Sequence, residues 1–257
     1  MQKTNNTARA LRHLVLALAA IGCAAPAMQA LASPMNWSSN KVQGNGNIKK
    51  QSRELAHFSG VSLSLPAQME LRIGANEGIT IETDDNLLPL IETVIEDGTL
   101  KIRSNKRNQS LNSKNMKIVV QAKDVSRLAL GGSGSIDSDA LKGKTLQVDL
   151  GGSGSINIKG VESDSLAVSV GGSGNMKTGG GWTKSLSVSI GGSGDVDMGQ
   201  VKAKDASVSV AGSGEATVAV SEALSVTIAG SGDVNYYGDP KVSKNVVGSG
   251  DVKRAGK

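Results

Sequence analysis

The chain has 257 residues, of which 33 are glycine and only five are aromatic: Trp37, Phe58, Trp182, Tyr236 and Tyr237. With 38% hydrophobic residues and so few rings, any core has to be aliphatic, packed from Leu, Val, Ile, Ala and Met. A charged fraction of 20% and a net charge of +5 fit neither an acidic disordered tail nor a strongly basic nucleic-acid binder.

Lys3, Arg9 and Arg12 precede an apolar run from Leu14 to Ile21, and Ala30-Leu31-Ala32 supplies the small-x-small pattern read by signal peptidase. The run is too short to span a bilayer as a lasting helix, so residues 1–32 are expected to be a cleaved export signal. Ala20-Ile21-Gly22-Cys23 offers an alternative, a lipoprotein signal with Cys23 as the anchored residue, although alanine stands where leucine is usual. Either reading takes the protein out of the cytoplasm, to the periplasm or beyond, or to the outer membrane through Cys23. Removing 32 residues leaves 225 and takes away three basic groups and no acidic one, which lowers the charge from +5 to +2. The remaining chain has no cysteine and a single histidine, His57, so disulfides and a Cys/His metal site are excluded and no cofactor is expected. Residues 33–41 are expected to be a disordered lead, 42–252 one domain and 253–257 a tail. No further apolar run of membrane length follows.

From Val42 to Gln121 short alternations read as strands: Val61/Leu63/Leu65, Met69/Leu71/Ile73, Ile79/Ile81, Val94 and Leu100/Ile102. Asn86-Leu87-Leu88-Pro89-Leu90 reads as a compact turn or short helical insertion, and Asp97-Gly98 as a tight turn. Between Lys101 and Lys123 lie Arg103, Lys106, Arg107, Lys114 and Lys117 with no acidic residue. This stretch is expected to be a mobile loop, and clustered basic charge of this kind attracts polyanions such as anionic envelope polymers.

The main signal is a repeat. Gly-Ser-Gly occurs seven times, beginning at Gly132, Gly152, Gly172, Gly192, Gly212, Gly230 and Gly248, with spacings of 20, 20, 20, 20, 18 and 18. Gly44-Asn45-Gly46 looks like a degenerate eighth copy. Six, four and two residues before each of those glycines stand triplets such as Leu146/Val148/Leu150, Leu186/Val188/Ile190 and Leu224/Val226/Ile228, and 19 of the 21 such slots are apolar. Intervening slots are mostly small or polar, so the period is two and one face is buried. A second alternation follows each turn, placing Ile136, Ile156, Met176, Val196, Ala216, Val234 and Val252 inward. Two strands and their turns cannot bury their apolar faces alone, whereas stacked coils can. The fold expected is therefore all-β: a single-stranded, right-handed parallel β-helix with coils of about 20 residues, its seven regular turns spanning roughly 29 Å at about 4.8 Å per coil. Lys244 breaks the inward pattern in the last coil, where an open end needs a polar cap.

Repeated glycines at one corner are explained by positive φ or by close backbone approach. The slot after each turn holds Ser135, Ser155, Asn175, Asp195, Glu215, Asp233 and Asp251, so stacking sets four carboxylates in a row. As an enzyme the chain would use them as a polysaccharide lyase or hydrolase does, with paired carboxylates. Four equivalent groups lack the differing environments that separate an acid from a base, and a solvated corner row is the simpler reading. Gly143-Lys144-Thr145 lacks the leading glycine of a phosphate loop, because Ser138 stands there. The calcium β-roll needs aspartate where Ile136, Ile156, Met176 and Val196 are, and His57 has no evident serine partner for a triad. Ala167/Ser169, Ser187/Ser189, Ser207/Ser209 and Ser225/Thr227 form a flat face suited to another protomer or a regular surface.

Asp84-Asp85-Asn86-Leu87-Leu88-Pro89-Leu90-Ile91-Glu92-Thr93, then Asp97-Gly98-Thr99-Leu100-Lys101-Ile102, the serial Gly-Ser-Gly-Asp-Val turns and Tyr236-Tyr237-Gly238-Asp239-Pro240 together resemble the bacterial head GIN domain family of auto-transporter adhesins. The resemblance covers roughly Val42 to Val252 and implies a secreted or envelope-associated β-helical domain. Self-secretion is not carried over, since no membrane barrel follows the last turn before Lys257. The expected function is that of an exported, non-catalytic binding or scaffold module of the cell envelope, with a polysaccharide lyase or hydrolase as the alternative. Its partner is expected to be an envelope or extracellular protein or polysaccharide and not nucleic acid, and a homo-oligomer is compatible with the flat face.

Overall fold

In a computed structural model, which describes residues 40–256, the repeats stack in register as parallel coils. The export signal, Cys23 and both candidate processing sites lie outside the described residues. The first half of the chain forms β1 (Asn40–Gln43), β2 (Ile48–Glu54), β3 (Gly60–Leu63), β4 (Gln68–Ile73), β5 (Gly78–Asp84), a 3-10 turn at Leu88–Leu90, β6 (Ile91–Glu96), β7 (Thr99–Ser104), β8 (Gln109–Asn112) and β9 (Lys117–Ala122). The repeats form β10 (Arg127–Gly132), β11 (Ser135–Ser138), β12 (Leu141–Gly152), β13 (Ser155–Ile158), β14 (Val161–Gly172), β15 (Asn175–Thr178), β16 (Gly181–Gly192), β17 (Asp195–Gly212), β18 (Glu215–Gly230), β19 (Asp233–Tyr237), β20 (Lys241–Gly248) and β21 (Val252–Gly256). Strand β1 begins inside the expected lead, and β21 runs past the expected boundary at residue 252.

Each coil lies one repeat from the next: Leu146 pairs with Leu166, Leu166 with Leu186, Leu186 with Ala206 and Ala206 with Leu224, all in parallel register. The alternating slots are buried as the period-two pattern requires, as are Ile136, Ile156, Met176, Val196, Ala216 and Val234 after the turns. Burying one such aliphatic side chain contributes about 1.5–3 kcal/mol, and pairing the strands of the inner coils on both edges satisfies their backbone groups. The 18-residue coils are accommodated between Met198 and Asp205, where the register shifts against β18.

Two features depart from the sequence-based expectation. Each regular coil has a third inward segment, with Leu141, Val161, Val201, Ala203 and Val220 buried beside Ser163 and Thr183. Ser163 Oγ donates to Thr183 Oγ1 at 3.0 Å, and Thr183 Oγ1 to the Ser185 carbonyl at 3.1 Å, so this polar interior is satisfied. The irregular first half, moreover, is not a run of earlier coils in chain order. Strand β3 pairs in parallel with both β7 and β10, and β4 with both β9 and β11, so the coil at 60–73 lies between the later coils at 99–122 and 127–138. Strands β2, β5 and β6 pair antiparallel, β2 on β5, β5 on β9 and β6 on β7. The β6–β7 turn is the expected Asp97-Gly98, with φ of +51° and +70°.

The corner glycines divide the work. Gly192 has φ +128° and its absent Cβ would meet the Gly172 carbonyl oxygen, whereas Gly194 is needed for proximity alone, since a Cβ there would collide with the Gly174 carbonyl oxygen and fall 2.8 Å from Val170 Cγ1. In the last coil Lys244 occupies the inward slot opposite Val226 and is exposed, as an end cap would be.

Candidate functional site

The carboxylate row exists in register: Asp195 pairs with Glu215 and Glu215 with Asp233, and Asp251 follows on the next coil. Its members are engaged in holding the corner. Asp195 Oδ1 accepts the Glu215 backbone N–H at 3.2 Å, and Asp233 Oδ1 accepts that of Asp251 at 2.8 Å. Glu215 Oε1 accepts Asn235 Nδ2 at 2.6 Å, and Asp251 pairs with Lys253 at 3.0 Å. A carboxylate pinned to the neighbouring coil is a strut and is poorly placed to move a proton.

The basic stretch is not a loop. It runs through β7, β8 and β9 and the short turns between them. Arg103 is paired with Glu92 at 2.8 Å and Glu96 at 2.9 Å across the β6–β7 hairpin, and Lys101 reaches Glu96 at 2.6 Å. Bonds from Lys101 and then Arg103 hold Glu96 below the ordinary carboxylate range. Lys106 and Arg107 sit in the exposed turn before β8, Lys114 in the turn after it, and Lys117 on β9 opposite Glu82. Of these five groups Arg103 is tied to two carboxylates, and the other four have no ion-pair partner among the described residues.

One depression does bring opposite charges together, lined by Glu70, Lys117, Asp137, Asp139 and Lys159 on the outer side of β4, β9 and β11. Arg72 grips Glu70 with two bonds of 2.8 Å, and Lys159 binds Asp139 at 2.7 Å while the Ile73 backbone N–H adds a bond of 3.1 Å. Both carboxyls are held below their usual range, Glu70 chiefly by the Arg72 bond and Asp139 by the Lys159 bond. An acid–base pair needs its two members pushed in opposite directions. Here both are driven to the anion, so neither serves as an acid near neutral pH.

His57, for which the sequence offers no evident serine partner, is exposed and contacts Glu77 at 2.7 Å, and Lys123 lies 3.4 Å from the same carboxylate. Burial opposes ionisation of Glu77, but the bonds from His57 and Lys123 outweigh it and hold the group below its ordinary value. Among the described residues no group of three or more His, Cys, Asp or Glu side chains is arranged to hold a metal ion.

The motif at residues 84–86 is a clamp. Buried Asp84 accepts Ser113 Oγ at 2.6 Å and also the Gly46 backbone N–H, while Asp85 Oδ1 accepts Asn45 Nδ2 at 2.7 Å. Asn86 receives the Asn45 N–H at 3.1 Å and donates to the Gln43 carbonyl at 2.9 Å. Gly44-Asn45-Gly46 is therefore the loop this clamp grips, between β1 and β2, and not an eighth coil corner. Gly44 is glycine because a Cβ would collide with the Asp84 carboxylate. Sequence reasoning assigned no role to the outer row of the third side, where Trp182 and Tyr237 stand 45% and 39% exposed. The signal available was the Gly-Gly-Gly-Trp interruption at 179–182.

The fold and these surfaces define a parallel β-solenoid with no helix among the described residues long and apolar enough to cross a membrane. The chain belongs to the family described as "Putative auto-transporter adhesin, head GIN domain", whose model matches residues 57–240. Among solved structures it is similar to a "putative lipid binding protein" from Parabacteroides distasonis, at 26% identity and TM-score 0.71, covering 84% of this chain and 100% of that one. It is also similar to a "putative adhesin" from Bacteroides fragilis, at 22% identity and TM-score 0.78 over 83% and 99% of the two chains. A third, from Parabacteroides merdae, matches at 20% identity and TM-score 0.59 over 84% and 99%. A search of the curated proteins finds no significant match.

Proposed function

We propose that this chain is an exported, non-catalytic binding or scaffold module of the bacterial cell envelope, cleaved after Ala32 and presenting its solenoid to an envelope or extracellular ligand. The observation that carries the reading is the disposition of its charged groups. Carboxylates in the repeated corner row and in the charged depression are engaged in fixed bonds to neighbouring coils or cations, while long exposed faces are left for contact. The adhesin description of the family and of the similar structures agrees with a contact role. Purified full chain added to isolated cell envelopes is expected to co-sediment saturably and to leave acidic and neutral glycans uncut. Absence of saturable binding, or a shortened glycan, overturns the reading. Intact mass of the exported protein separates cleavage after Ala32 from lipid attachment at Cys23.

A further inference from the structure

The third side of the solenoid carries an outward row that crosses six coils. Lys142 lies beside Glu162, and parallel pairing continues the row as Glu162, Trp182, Lys202, Ala219 and Tyr237. The aromatics are three coil steps apart, about 14 Å at about 4.8 Å per step. Exposed in one row of a rigid sheet, the two rings keep amphipathic side chains available for contact. Glycine stands beside each ring. Gly181, immediately before Trp182, has φ +120° and no room for a Cβ against the Val161 carbonyl. The Tyr237 ring reaches over Gly199 and Gly256, where a Cβ would come within 3.1 and 3.3 Å of its edge atoms. Between the rings the row holds only the small Ala219 and Lys202.

The charges of this side are unbalanced. On this row and the next, Lys142 is matched by Glu162 at 2.9 Å, Lys184 by Asp164 at 2.7 Å and Lys204 by Glu222 at 3.4 Å. Lys144 and Lys202 have no ion-pair partner among the described residues. Lys202, one coil step from Trp182 and two from Tyr237, is thus a cation without an ion-pair partner between the two rings.

We infer that the Trp182–Lys202–Tyr237 row binds one strand of a β-linked acidic polysaccharide laid along the solenoid axis, with sugar faces on the two rings and a uronate carboxylate on Lys202. Coils of the stack are about 4.8 Å apart, and an extended β-linked glycan advances per sugar by a somewhat longer but comparable length. Coil and sugar repeats therefore drift only slightly over the three coil steps between the rings. The aromatic faces take the axial C–H surface of the sugars, and the lysine selects the charged polymer over the neutral one. This assignment rests on the binding-module reading and names the ligand class for it.

The test uses the folded full chain and two matched polymers, polymannuronate and neutral β-linked mannan, titrated by calorimetry. Polymannuronate is expected to bind more tightly than mannan. Trp182→Ala and Tyr237→Ala each weaken it roughly tenfold or more, equivalent to about 1.4 kcal/mol, while Trp182→Phe and Tyr237→Phe retain most of the affinity. Lys202→Glu abolishes the preference for the acidic polymer without affecting mannan. Unchanged circular dichroism spectra establish that each variant is folded. Polymannuronate binding that survives the Trp182→Ala/Tyr237→Ala double variant, or no binding by the wild type, overturns the inference. Envelope co-sedimentation of the same double variant separates the two levels. If it still sediments saturably, the module reading stands and this site falls, as it would for a protein partner elsewhere. If the wild type does not sediment either, both fall.

Discussion

The Asp233 carboxylate accepts the backbone N–H of Asp251, one coil further along the stack, at 2.8 Å. Asp195 does the same for Glu215 at 3.2 Å. These acidic residues therefore have a structural reason to follow Gly-Ser-Gly, in that each caps a donor on the next coil. Asparagine retains an acceptor oxygen and removes the charge, so Asp195→Asn and Asp233→Asn are expected to leave the melting temperature unchanged or slightly higher, because stacked like charges repel. Alanine removes the acceptor and is expected to cost about 0.5–1.5 kcal/mol at each site. Equal losses for Asn and Ala in thermal denaturation would remove the strut assignment.

The glycines of one corner are expected to respond in three different ways. Gly191 has open space around its Cβ position, and alanine already stands at the equivalent Ala211 and Ala229. Gly191→Ala is therefore expected to be neutral or to stabilise by up to about 1 kcal/mol through the unfolded state. Gly192→Ala forces a side chain into φ +128° and is expected to cost about 1–3 kcal/mol. Gly194→Val is expected to destabilise by overpacking against the Gly174 carbonyl and Val170, by about 1–3 kcal/mol. Urea titration of the three variants is expected to separate Gly191→Ala from the other two.

Val188 is 1% exposed in the middle of the aliphatic column. Val188→Asp puts a carboxylate where nothing pairs with it, at a cost of several kcal/mol, and the variant is expected to accumulate unfolded. Normal soluble yield with a native circular dichroism spectrum would mean that the inward and outward faces are reversed.

Acid is expected to loosen the first half of the chain. Asp84 is held below its ordinary value by Ser113 and Gly46 against the opposing effect of burial, and the bonds of Glu77 to His57 and Lys123 likewise outweigh its burial. A carboxyl whose folded pKa is depressed binds its proton more readily when unfolded. Its contribution is complete above the unfolded pKa, about 4 for Asp or Glu, and is lost as pH falls through the folded value. The melting temperature should therefore hold from neutrality to about pH 5 and fall below that, with a shallower acid limb in Asp84→Asn. A pH-independent melting temperature between pH 6 and 3 would contradict the clamp.

The solenoid was legible because its cause is local and repeated. Alternation such as Leu186/Val188/Ile190 specifies a buried strand face, and a 20-residue recurrence places each face on its own copy. The third inward segment was less legible, because Ser163 and Thr183 occupy inward slots and satisfy one another there, which erases the apolar signal. The order of the first coils was not legible at all. Nothing near Val61 or Leu63 states that β3 will lie between β7 and β10, since that depends on pairings 39 and 67 residues away.

The sequence by itself determined the repeat, the aliphatic column, the glycine corners and the family motifs, all of which are properties of neighbouring residues. Tertiary structure alone decided which groups share a surface. It joined Arg103 to Glu92 and Glu96 across a hairpin, turned Asp84 onto Ser113 and Gly46, and brought Trp182 into one row with Tyr237 through three successive parallel pairings. The physical reason is that charge pairing and stacking act over a few ångströms of space. In a stack of coils, neighbours in space lie some 20 residues apart along the chain.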